Sequence, residues 1–119
     1  MHGPTFMANP LGCAAANASL DLFEREDRLA QAALIQTQLE AELAPFRAIP
    51  GVTDVRVMGA IGVVQLERIA NPTALRSDLI KHNVWIRPFR DIIYLTPALT
   101  ITPDQTSTLI AAIRAVLTA

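Results

Sequence analysis

A chain of 119 residues is one domain on length alone. Its net charge of −1 suggests neither a nucleic-acid partner nor a polyanionic substrate. Its one cysteine, Cys13, excludes an internal disulfide and fits a reducing, cytoplasmic setting. No apolar run is long enough to span a bilayer, and the first residues lack a signal peptide's basic start and apolar core. Hydrophobic residues make up 51% and mean hydropathy is +0.32, both high for so small a domain. Either alanine inflates the count, or some apolar surface is meant to be covered by something else.

Asn9-Pro10 predicts a helix start, with asparagine as N-cap and proline in the first helical position. Leu11, Ala14, Ala15, Ala18 and Leu22 then recur at helical spacing, and the pattern continues through Leu29, Ala32, Ala33, Leu39 and Leu43 to Pro45. A single helix of that length is unusual, so a break is expected near Glu26-Asp27, inside the solvated charge cluster from Phe23 to Arg28. Pro50-Gly51 reads as a turn. Thr53–Gly59 and Ala60–Glu67 read as strands, with Gly59 and Gly62 marking a tight connection or a bulge. Asn71-Pro72 repeats the cap-plus-proline signal before a short helix holding Ala74, Leu75, Leu79 and Ile80. Asn83–Phe89 and Asp91–Pro97 read as two further strands. Thr102-Pro103-Asp104-Gln105 is a capping box, followed by a last helix with Leu109, Ala112, Ile113, Val116 and Leu117 on its apolar side. The order α-α-β-β-α-β-β-α predicts an α+β fold, with helices covering one face of a mainly antiparallel sheet.

Few side chains point to chemistry. His2 lies beside the chain's start, and His82 falls at a helix C-terminus, where the dipole favours positive charge; both read as structural. Cys13 falls on the alanine face of the first helix and reads as a small buried hydrophobe. No cluster has metal-ligand spacing, and no nucleophile–histidine–acid set can be assembled. Arg87 stands between Ile86 and Pro88, with Trp85 and Phe89 close in sequence. A guanidinium among apolar neighbours needs a partner, either an internal acid such as Asp91 or an incoming carboxylate that its planar fork matches. Arg90 reads as a turn residue. Gly3, Pro4 and Thr5 combine close backbone approach, a fixed φ and a hydroxyl ahead of a helix, which fits either a phosphate site or a plain turn.

Taken together, HGPTFMANPLGCAAANASL and NVWIRPFRDIIYLTP resemble the class III, fold-type I pyridoxal-phosphate aminotransferases over essentially the whole chain. The Asn-Pro-Leu start is shared across that family, while His-Gly-Pro-Thr and Val-Trp-Ile-Arg-Pro-Phe are more particular to its biotin-biosynthesis branch. The resemblance implies the small C-terminal domain of such an enzyme, residues 1–119, with 1–9 a site loop leading into the first helix. It implies that Gly3 lies at the substrate and that Pro4 and Thr5 hold the phosphate of pyridoxal 5′-phosphate across a homodimer interface. It implies that Arg87 binds the acceptor's carboxylate, with Trp85 and Phe89 packed to keep it in place. The implied reaction moves the amino group of S-adenosylmethionine to 8-amino-7-oxononanoate. The family's Schiff-base lysine lies upstream of His-Gly-Pro-Thr. The lone Lys81 has no cofactor pocket around it, so this chain is expected to supply no catalytic residue and to be inactive alone. Ala8 and Asn83 stand where the family usually has glycine, and Thr96-Pro97-Ala98-Leu99 replaces a more usual Met-Pro-Pro-Tyr. These departures leave open a class III transaminase with another acceptor. The rival from another class is a free-standing interaction module with Arg87 in a plain salt bridge.

Overall fold

Helix α1 (Pro10–Arg25), helix α3 (Pro72–Lys81) and helix α4 (Pro103–Leu117) each begin on a capping side chain followed by proline in the computed structural model, which describes Gly3 and residues 5–119. Asn9 Oδ1 accepts from the amides of Leu11 (3.0 Å) and Gly12 (3.2 Å), and Asn71 Oδ1 accepts from those of Thr73 (3.1 Å) and Ala74 (3.0 Å). At Thr102 the capping box is complete: its hydroxyl accepts from the Gln105 amide, and Gln105 Oε1 accepts from the Thr102 amide. These bonds satisfy donors that a helix start otherwise leaves open.

The chain divides into two compact units, Met1–Ala30 and Gln31–Ala119. In the first, a turn closed by the Asn9 amide on the Phe6 carbonyl (3.1 Å) leads into α1. Ala8 occupies the third position of that turn at φ 59°, where type II turns favour glycine. Helix α1 ends at Arg25, and Asp27 at φ 39° makes the expected break. Helix α2 (Arg28–Leu43) starts there, with Asp27 Oδ1 accepting from the Ala30 amide and Arg28 paired to Glu26 at 2.7 Å. No residue of α1 is buried. Cys13 is exposed, which corrects its reading as a buried hydrophobe: the alanine spacing marks a face but does not say that anything covers it.

In the second unit α2 runs into a short 3₁₀ turn (Ala44–Ala48) that absorbs Pro45. Strands β1 (Val52–Met58), β2 (Ile61–Leu66) and β3 (Ile92–Leu95) form one antiparallel sheet in the order β1-β2-β3. Met58 pairs with Ile61, so Gly59-Ala60 is a two-residue hairpin loop with positive φ at Gly59. The ladder's one irregularity lies between Val52 and Asp54, not at either glycine. Gly62 serves packing: a Cβ there would stand 2.9 Å from Leu43 Cδ1, so its absence lets α2 lie close on the sheet. Val55, Val64, Ile93 and Leu95 of the inner face join Leu39, Leu43, Phe46, Leu79, Ile110 and Ile113 in one core. The outer face carries Arg56 and Met58, Ile61 and Gln65, and Ile92 and Tyr94, each alternating with an inward residue.

One expected strand is absent. Residues 83–89 form no ladder; only Phe89 makes an isolated bridge, to Ile92. The alternation that suggested a strand is real, since Val84 and Ile86 are buried while Trp85 and Arg87 are exposed. The segment packs on the core side by side with no neighbour to pair with, and Pro88 has no amide to give. The α+β architecture with its antiparallel sheet stands, with three strands among the described residues.

Candidate functional site

The Arg87 segment is launched by the end of α3. The Val84 amide donates to the Leu79 carbonyl (3.2 Å) and the Asn83 amide to the Ile80 carbonyl (2.9 Å). This pair of bonds is a Schellman motif, with Asn83 in the left-handed position at φ 60° and buried Val84 and Leu79 as its apolar contact. Glycine is the usual residue there, and asparagine is the side chain that tolerates the conformation best. His82 is the helix cap and exposed, in keeping with its structural reading.

The segment ends in a second tight turn. The Phe89 amide donates to the Ile92 carbonyl (2.9 Å) and the Ile92 amide to the Phe89 carbonyl (3.0 Å). Arg90 takes φ 53° within it, so it is the turn residue the sequence suggests. Asp91 is not the partner of Arg87. Its Oδ2 accepts from Gln65 Nε2 at 2.9 Å, and its carbonyl accepts from the Leu66 amide at 2.8 Å. Among the described residues Arg87 makes no hydrogen bond or ion pair.

Arg87 borders a cleft of about 210 Å³ together with Trp85, Tyr94, Thr96, Pro97 and Leu109. The indole, the phenol and the leucine give an apolar wall, and Tyr94, Thr96 and the Arg87 cation are its polar members. Among the described residues no histidine or carboxylate lines it. Such a cleft can seat a carboxylate on an alkyl chain. Trp85 shares it with Arg87, although it is 70% exposed rather than packed. Phe89 does not hold Arg87; it is exposed, and its ring faces Arg90 with Cζ 5.4 Å from the centroid. Tyr94 is a site residue that sequence reasoning passed over. Its signal is the period of two in Asp91–Pro97, which puts Ile92, Tyr94 and Thr96 on one side.

Gly3 and Thr5 belong to the first unit. Both are exposed, and a Cβ on Gly3 would meet the flexible Met7 side chain. The Thr5 hydroxyl has no partner among the described residues, and it stands at the turn before α1. Asn9 already occupies the first free amides of that helix, so an anion there would have to be met by the Thr5 side. Pro4 and His2 lie outside the described residues. Lys81 is paired with Asp78 at 2.8 Å, with its side chain 75% exposed.

No helix among the described residues is long and apolar enough to cross a membrane. The aminotransferase class-III family matches residues 1–117. The chain is 44% identical over 115 residues to the adenosylmethionine-8-amino-7-oxononanoate aminotransferase of Corynebacterium glutamicum, covering 97% of this chain and 27% of that protein. To the protein of the same name from Buchnera aphidicola of Acyrthosiphon pisum it is 45% identical over 103 residues, covering 87% and 24%. The chain thus spans about a quarter of the length of these relatives. Among solved structures, it superposes with a TM-score of 0.86 on a PLP-bound amine transaminase from an uncultivated Pseudomonas species, at 30% identity over 99% of this chain and 29% of that one.

Proposed function

This chain belongs to the class III aminotransferases, and on that premise we propose that it serves an enzyme that moves the amino group of S-adenosylmethionine to 8-amino-7-oxononanoate. The observation that carries the reading is Arg87: a guanidinium without a partner among the described residues, in a cleft with an apolar wall. The acceptor is an anion at the end of an alkyl chain, and this cleft offers it a charge-assisted pair and a surface for the methylenes. Gly3 is assigned to the substrate by the family resemblance alone. The names of the relatives support this donor and acceptor.

The cofactor is pyridoxal 5′-phosphate, which supplies the carrier for the amino group and a sink for the electrons of the broken C–H bond. Thr5, with Pro4 stiffening the backbone before it, holds its phosphate; the uncommitted Thr5 hydroxyl fits that task. The lysine that bonds the cofactor is not Lys81, which is exposed and paired. It belongs to the rest of the enzyme, so this chain by itself is inactive. The working unit is a homodimer in the cytoplasm, a reading supported by the uncovered apolar side of α1 and by the single cysteine. A different acceptor is the second reading. It rests on Thr96, which lines the Arg87 cleft where the family motif has methionine.

Half-reaction kinetics of the full-length enzyme test the proposal. Arg87→Ala should weaken use of the acceptor by one to two decades, the worth of a charge-assisted contact of roughly 1.5–3 kcal/mol, while the donor half-reaction is unchanged. Thr5→Ala should instead lower cofactor occupancy. Equal losses for donor and acceptor in Arg87→Ala would contradict the assignment.

A further inference from the structure

On the reading of Arg87 as the acceptor's anchor, we propose that the main-chain amide of Tyr94 is a second donor to the same carboxylate, inside the cleft that both residues line. The cleft lies where a hairpin stops after one pair. Phe89 and Ile92 exchange both of their main-chain bonds, at 2.9 and 3.0 Å, around the turn at Arg90-Asp91. Bonded positions of an antiparallel pair recur at every second residue. Arg87 and Tyr94 hold the next such position, and Trp85 and Thr96 the one after. Neither pair bonds, and these four residues line the cleft instead. The cleft is thus the gap left where the two arms of the hairpin part.

The far side of β3 fixes which way its amides face. The Leu66 amide donates to the Asp91 carbonyl at 2.8 Å, and the same register runs on through Val64 with Ile93 and Gly62 with Leu95. Ile93 and Leu95 therefore direct their main-chain groups at β2, while Ile92 and Tyr94 turn theirs the other way. Ile92 uses them on Phe89. Tyr94 turns its own into the gap, where they meet no partner among the described residues. A main-chain donor in such a place calls for an acceptor. A carboxylate only accepts, so of the open main-chain groups it can use an amide. With one oxygen on the Tyr94 amide, the other is left for the guanidinium fork of Arg87, and both bonds are charge-assisted. The Tyr94 amide has no rotamer to lose and is held by the sheet behind it, so it stands in place before the acceptor arrives.

In the full-length enzyme, replacing Tyr94 by its α-hydroxy acid counterpart puts an ester oxygen where the amide was and keeps the phenol. The acceptor's KM should rise about twentyfold, the worth of a bond to a charged group. For the acceptor's methyl ester, whose carbonyl oxygen takes only a neutral bond, it should rise no more than about threefold. The donor half-reaction should not change. Equal rises for acid and methyl ester, as a merely structural role predicts, or no rise for the acid, overturn the inference. The same exchange at Leu95 removes a ladder donor of the same strand; it should lower the melting temperature and leave the acid's KM alone, and a rise as large as at Tyr94 overturns the inference too. A second measurement needs no altered main chain. In wild type carrying isotope-labelled tyrosine, the amide proton signal that Tyr94→Phe removes should move downfield when the acid binds, and less with the methyl ester; an unmoved signal overturns the inference. Arg87→Ala is measured alongside. If it abolishes the preference for the acid while the exchange at Tyr94 does nothing, only the second donor fails; if neither has an effect, the anchor reading itself fails.

Discussion

Helix α1 and helix α2 are both 16 residues long and both carry apolar residues at helical spacing, yet α1 buries none of them while α2 buries Ile35, Leu39 and Leu43. Periodicity shows which side of a helix is apolar; burial needs a second surface. Helix α2 has one inside this chain, the sheet face that Gly62 leaves open to it. For α1 the described residues supply none, and Leu11, Leu20 and Phe23 stay exposed. Part of the high hydrophobic fraction of so short a chain therefore lies on the exposed surface of α1.

The largest effect that tests this contrast is truncation in the two helices. Leu39→Ala should destabilise the isolated chain by about 2–5 kcal/mol, because a fully buried leucine leaves a cavity. Leu20→Ala in α1 should change it by no more than about 0.5 kcal/mol. Denaturant melts of both variants decide the matter, and equal costs would mean that α1 is covered within the chain.

A smaller effect separates the two left-handed residues. Ala8 and Asn83 both stand where glycine is usual, at φ 59° and 60°. Alanine suffers in that conformation by roughly 1–2 kcal/mol, and glycine gives back part of the gain through its freer unfolded state. Ala8→Gly should then raise the protection of α1 amides from hydrogen exchange by a factor of about three, equivalent to roughly 0.6 kcal/mol. Asn83→Gly should change the stability of the second unit little, since asparagine already tolerates the turn.

The smallest effect is electrostatic. Arg56 donates to Asp54 and holds its carboxyl below the ordinary value of 3.8, with Val55 and Arg47 as lesser causes and desolvation opposing. A carboxyl lowered by folding contributes stability that is complete above its unfolded value and is lost as pH falls through the folded one. Thermal melts should show a slight advantage of the wild type over Asp54→Asn at neutral pH that vanishes below 3.8. Both groups are about half exposed, so added salt should shrink the difference.

Much of this architecture was legible in the sequence because its signals are local. The caps at Asn9, Asn71 and Thr102, the break at Asp27 and the hairpin at Gly59 each depend on a few neighbouring residues. Residues 83–89 misled for the opposite reason. Alternation is local, but a strand needs a neighbour with free amides and carbonyls, and that is a fact about the whole fold. Cys13 misled in the same way as the rest of α1. In the site, Arg87 stood out as a cation among apolar residues, while the engagement of Asp91 elsewhere was invisible, because Gln65 lies 26 residues from Asp91 and reaches it only through strand pairing. Tyr94 was hidden by its role in a strand, where an aromatic residue needs no functional explanation.

The central claim is that Arg87 meets the acceptor's carboxylate, and the most direct measurement asks the acid itself. Calorimetric titration of full-length wild type and Arg87→Ala with 8-amino-7-oxononanoate and with its methyl ester gives four affinities that close a cycle. The wild type should prefer the acid over the ester by one to two decades, for a contact of roughly 1.5–3 kcal/mol, and Arg87→Ala should bind the two alike. If Arg87→Ala still prefers the acid by the full factor, the carboxylate is held by another group and the account of this cleft is wrong.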